Sequence, residues 1–128
     1  MAIRIVQLGS ARAKDEGLRI GTVRRPPRGV RKARFSTANW YDVWLPNLAP
    51  SAALFSERAT LHDDAAWQKF VRRYRAEMSK PEASRLLDVL AALSHQTNFA
   101  VGCYCEDEAR CHRSVLRRLL EDRGAAIA

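Results

Sequence analysis

Apolar and polar positions along the chain change period several times, and each change predicts an element. Ile3 to Leu8 is a short apolar-rich run with β-branched residues, the pattern of a strand. Gly9 to Gly17 reads as a loop. Leu18 to Val23 predicts a second strand, with Leu18 and Ile20 on one face and Val23 on the other. Pro26, Pro27 and Gly29 then break any regular element, because proline removes a backbone donor and fixes φ. Trp40 to Pro50 holds two tryptophans and two prolines and predicts an irregular, partly buried segment.

The second half is helical in period. Ser51 after Pro50 is a plausible N-cap for a short helix to about Arg58. Asp63 or Asp64 caps a longer one, in which Trp67, Phe70, Val71, Tyr74 and Met78 recur at helical spacing. Pro81 opens another helix, where its missing donor costs nothing, with Leu86, Leu87, Leu90 and Leu93 as its core stripe. Asn98 to Cys105 predicts a strand with Phe99, Val101, Cys103 and Cys105 on one face. Ala100, Gly102 and Tyr104 form the other, with space for a helix to lie close. A last helix runs from about Cys111 to Arg123, with Val115, Leu116, Leu119 and Leu120 inward, and Gly124 ends it. Strands interleaved with helices imply an α/β fold: one compact layered domain over residues 1–128, with a small, mostly parallel sheet flanked by helices. No closely spaced helix pair with a polar recognition helix occurs, which argues against a helix-turn-helix regulator.

Composition agrees with that picture. The 128 residues suit one domain with one core, and 47% hydrophobic with 28% charged residues is a globular balance. No apolar run is long enough to span a membrane, and Met1 to Ser10 is too short and polar for a signal peptide.

Charge changes the picture more. The net charge is +8, and all of it arises in residues 1–40, where ten Lys/Arg face only Asp15 and Glu16; the rest of the chain is neutral. Six of those cations lie between Arg24 and Arg34. Guanidinium groups match phosphate geometry, so an extended loop carrying Arg24, Arg25 and Arg28 is a candidate anion site. A solvated loop that aids solubility is the plainer alternative.

The candidate chemistry sits in Gly102 to Ser114, which holds all three cysteines, Cys103, Cys105 and Cys111, followed by His112 and Arg113. An odd cysteine count suits reduced thiols in a cytoplasm. Cys105 falls at the carboxyl end of a predicted strand and Cys111 to Arg113 at the start of a helix, where α/β sheets bind ligands. Three readings compete. In the first, Cys105 or Cys111 is a nucleophile, His112 an acid/base group, and Arg113 an anion contact; the acidic run Glu106 to Glu108 makes Cys111 the better electrostatic candidate. In the second, the cysteines and His112 bind metal, although the spacing is not a usual zinc pattern and His112 directly after Cys111 converges poorly on one ion. In the third, Cys103 and His112 are structural.

Other chemistries are out of register. A phosphatase-type loop needs Arg six positions after its Cys, and Cys111 and Ala109 stand there instead. Neither a glycine-rich phosphate loop nor a calcium loop is present. His62 and His95 read as solvated or helix-terminal. Trp40, Tyr41 and Trp44 could stack on bases but are more commonly core residues.

Val23 to Val30, Tyr41 to Ser51, Trp67 to Tyr74 and Cys111 to Ser114 together resemble the YeaO-type family of domains of unknown function, over about Leu18 to Leu120. The resemblance implies a compact α/β domain of bacteria or archaea and transfers no reaction. Many relatives carry Trp-Pro-Arg-Gly where this chain has Pro26, Pro27, Arg28 and Gly29, and some branches lack the cysteines. The sequence therefore points to a cytoplasmic protein without cofactor or metal. Its expected partner is an anionic small molecule or, as the alternative function, nucleic acid bound by the basic third. A homodimer is compatible with it, a membrane partner is not, and catalysis is left open.

Overall fold

The computed structural model describes residues 1–128. Four strands form one all-parallel sheet in the order β1-β4-β2-β3: β1 (Ile3–Gln7), β2 (Leu18–Gly21), β3 (Val43–Trp44) and β4 (Phe99–Cys103). Four helices appear where expected: α1 (Ala52–Phe55), α2 (Asp64–Met78), α3 (Pro81–Leu93) and α4 (His112–Asp122), with α1 ending three residues short of Arg58, which instead opens a 3-10 turn to Thr60. Ser51 and Asp63 cap α1 and α2 by accepting amide hydrogen bonds, and Pro81 opens α3. Gly124 adopts φ +80° just past α4, a conformation glycine tolerates best. No helix is long and apolar enough to cross a membrane.

The core lies on one face of the sheet. Ile3, Ile20, Phe99 and Val101 point into a cluster with Leu54 of α1, Phe70 and Tyr74 of α2, Leu87 and Leu90 of α3, and Leu116 and Leu120 of α4. Each such buried side chain contributes roughly 1.5–3 kcal/mol. The sheet's central strand, β4, is buried at every position. Leu18, expected on the same face as Ile20, is the first residue of β2 and is exposed where Ile20 is buried.

The opposite face departs from expectation. No helix lies over Ala100 and Gly102; the segments before and after β2 cover it. A Cβ on Gly21 would stand 2.4 Å from the Tyr41 ring, and one on Gly102 would meet the Val6 carbonyl at 2.5 Å. A buried ion pair organises this layer. Arg19, fully buried, donates to both Glu16 carboxylate oxygens at 2.8 and 2.9 Å and to the carbonyls of Ser10 and Asn39. These loops are thus fastened by one guanidinium rather than by a helix. The brief β3 and a 3-10 turn at Lys32–Arg34, neither of them expected, complete this half.

Removing the carboxylate would leave a buried cation without its counter-charge. Glu16→Ala is expected to lower the unfolding free energy by roughly 3–5 kcal/mol in a denaturant titration. A loss below 1 kcal/mol would contradict the role given to the pair.

Candidate functional site

The parallel strands end together, and the chain beyond β2 and β4 meets the start of α4 there. Thr22, one residue past β2, makes the junction. Its amide and its hydroxyl both donate to the Gly102 carbonyl, at 2.9 and 3.0 Å. Its own carbonyl lies 2.8 Å from His112 Nε2. A carbonyl has no proton to give, so Nε2 is the donor and Nδ1 of the neutral ring is the acceptor. Nδ1 lies 3.7 Å from Cys111 Sγ, and Cys111 Sγ lies 2.8 Å from Cys103 Sγ. Protons therefore point one way along a chain from Cys103 to Cys111 to His112 to the Thr22 carbonyl. Tyr74 packs edge-on against the imidazole.

Burial decides the state of each group. It pushes His112 down to about 4, so the ring is neutral at neutral pH. Cys103 is raised by its hydrogen bonds to Cys105 and Cys111 and by burial. For Cys111, a hydrogen bond with Cys103 favours the thiolate, but the hydrogen bond with Cys105 and burial outweigh it and push the thiol up to about 11. Cys105 is the exposed cysteine. The neighbouring Cys103 and Cys111 thiols lower it, and the Arg113 charge adds to this. The direction expected from charge counting is thus reversed: the Cys105 thiol is lowered and the Cys111 thiol raised. Glu106, Asp107 and Glu108 do not line the cavity into which Cys105 opens.

That cavity, of about 370 Å³, is lined by all three cysteines and His112, by the apolar side chains Phe55, Leu61 and Phe70, and by four arginines. No carboxylate lines it. The arginines are not equivalent. Arg24 donates to the carbonyls of Pro50, Pro46 and Ala49, so its fork holds the turn before α1. Arg110 pairs with Asp64. Arg25 is exposed and Arg58 lies over the Phe55 ring, and neither has a carboxylate partner. An adjoining depression of about 510 Å³ shares Arg25, Phe55, Arg58 and Tyr104 with the cavity and adds Arg28 and Trp40. Arg31 and Arg34 line a separate depression.

The structure therefore joins Arg25, Cys105, Cys111 and His112, with Arg28 on the neighbouring groove, and gives Arg24 a structural task. Arg113 does not line the cavity. It lies behind it, 4% exposed, with Nη2 on the Cys105 carbonyl and Nε without a partner. No carboxylate pairs with it, and its charge lowers the Cys105 thiol. Arg58, Phe55 and Thr22 were invisible as site residues. Arg58 follows an unremarkable short helix, and Thr22 acts through its backbone.

Cys103, Cys111 and His112 place their donor atoms within 4.8 Å of one another, so adjacency in sequence does not prevent Cys111 and His112 from converging. Tetrahedral zinc, with bonds of about 2.3 Å to sulfur, would hold two sulfurs roughly 3.8 Å apart. The 2.8 Å contact between Cys103 and Cys111 is closer than that and would have to open for an ion.

Two outcomes follow. Iodoacetamide should alkylate Cys105 alone in the native protein, with a midpoint pH below the ordinary ~8.5 of a thiol; peptide mass mapping that finds Cys111 modified first would contradict the assignment. His112 binds a proton in the unfolded chain at 6.5 and in the folded protein only near 4, so stability is complete above 6.5 and falls as pH drops through this window. The full loss is about 3 kcal/mol. His112→Gln should flatten that part of the stability profile, and an unchanged slope would count against the buried neutral ring.

No curated protein and no solved structure matches the chain. One family model does, described as the Active DUF488-N3 subclade, over residues 3–124. That span takes in the sheet, all four helices and every residue of the cavity, and the chain belongs to this family of domains of unknown function.

Proposed function

We propose that the cavity takes an anionic, phosphate-bearing ligand and presents Cys105 to it as a nucleophile. The observation that carries this reading is the lining: four arginines and three cysteines without one carboxylate. A field of one sign in a concave, partly apolar site concentrates anions. Arg25 and Arg58 are the cavity cations whose forks are not fully satisfied by a carboxylate or a turn, and they hold the ligand, while Arg28 extends the field along the neighbouring groove. The roles differ from residue to residue. Cys105 attacks, Cys111 and His112 keep its neighbours protonated and in place, and Arg113 stabilises the thiolate from behind. The family's description as active is in keeping with a catalytic site. Within the family we place the chain with the YeaO-type branch, on the motifs at Val23–Val30 and Tyr41–Ser51, and in a cytoplasm, where its thiols stay reduced.

A second reading rests on the exposed cations Arg28, Arg31, Lys32 and Arg34, none of which has a carboxylate partner. These could bind a nucleic-acid backbone without chemistry, with affinity falling steeply as salt rises.

Calorimetric titration with inorganic pyrophosphate separates the two. The wild-type protein should bind, and Arg25→Ala with Arg58→Ala should weaken binding by about tenfold or more, since each charge-assisted hydrogen bond is worth ~1.5–3 kcal/mol. Unchanged binding in the double variant would reject the cavity as the site. Salt-sensitive binding to single strands that survives the double variant would favour the second reading.

A further inference from the structure

We propose that the three cysteines form a thiol–disulfide relay, with Cys105 as the entry thiol and Cys103–Cys111 as the buried disulfide couple, acting on small-molecule disulfides. The proposal shares Cys105 with the function above but does not depend on phosphate binding. Its first support is placement: all three sulfurs line one cavity, and only Cys105 is exposed. Its second is contact: the Cys103 and Cys111 sulfurs already face each other at 2.8 Å, which an inert pair of core cysteines does not need. Its third is order: Cys103 ends β4, Cys111 caps α4, and Cys105 lies on the segment between them and lines the same cavity.

The chemistry closes without any other reactant. The Cys105 thiolate attacks one sulfur of a disulfide RSSR; a Cys105–SR bond forms and RS⁻ leaves, taking the Cys111 proton to become RSH. The Cys111 thiolate then attacks the Cys105 sulfur, the second RS⁻ departs, and it takes the Cys103 proton. Finally the Cys103 thiolate attacks the Cys111 sulfur. This forms the Cys103–Cys111 disulfide and returns Cys105 as a thiolate. Two protein thiols are oxidised, one small disulfide is reduced to two thiols, and the reverse sequence reduces the couple. Exchange through a low-pKa, accessible thiol is the route such reactions take. Arg25 and Arg58, which line the cavity without a carboxylate partner, favour disulfides that carry carboxylates.

The test uses the full chain equilibrated across a series of glutathione and glutathione disulfide ratios, quenched by alkylation and mapped by peptide mass. The expected end state has Cys103 joined to Cys111, Cys105 free, and both couple thiols lost together. Cys105→Ser should reach the same end state at least tenfold more slowly. Cys111→Ser should stop at a Cys105–glutathione adduct or a Cys103–Cys105 bond. Three free thiols at every ratio, a wild-type end state of Cys105–glutathione alone, or an unchanged rate in Cys105→Ser would each overturn the relay. Pyrophosphate binding by the reduced protein reads the anion site separately, so either reading can fail while the other stands.

Discussion

One hydrogen bond holds the site together. His112 Nε2 donates to the Thr22 carbonyl, and Thr22 itself makes two hydrogen bonds to Gly102, so the ends of β2 and β4 and the first residue of α4 are tied together. The bond also fixes chemistry. By claiming the Nε2 proton it leaves Nδ1 as an acceptor, which orients the Cys111 thiol, which in turn meets Cys103. Burial keeps the ring neutral, so the chain of protons has one direction at neutral pH. The exposed Cys105 is left as the group on which negative charge can settle.

The arginines divide into those that build and those that remain free. Arg19 welds the loop layer through Glu16 and two carbonyls, Arg24 secures the turn before α1, and Arg113 anchors the Cys105 carbonyl from beneath. Each spends its donors on the protein, and losing any of them would disturb the fold before it disturbed binding. The Arg25 side chain has no such obligation, Arg58 spends one donor on the Phe55 carbonyl, and both stand on the cavity wall without a carboxylate partner. The positive charge counted in the first third of the chain is therefore a poor guide to binding on its own. Part of it is structural, and one of the two cations that matter most comes from residue 58.

Much of the fold could be read directly from periodicity. Asp63, Pro81 and Gly124 mark helix ends by local physics, and the elements they bound appear within a residue or two of expectation. The face opposite the helices was not legible, because a loop layer tied by Arg19 and Glu16 has no period, and β3 is only two residues long. The thiol site was legible in outline, since Cys103, Cys105 and Cys111 cluster in sequence beside a strand end. Its electrostatics were not. The acidic run Glu106 to Glu108 suggested repulsion at Cys105, yet those side chains do not line the cavity, whereas Arg113 does act on the Cys105 thiol from behind it.

The central claim is that the anion site and the reactive thiol are the same place. The most direct measurement is the alkylation rate of Cys105 by a neutral reagent as inorganic pyrophosphate is added. A shared site predicts saturable protection that disappears when Arg25 and Arg58 are both replaced by alanine. A rate that stays constant while pyrophosphate is shown to bind would separate the two and contradict the account.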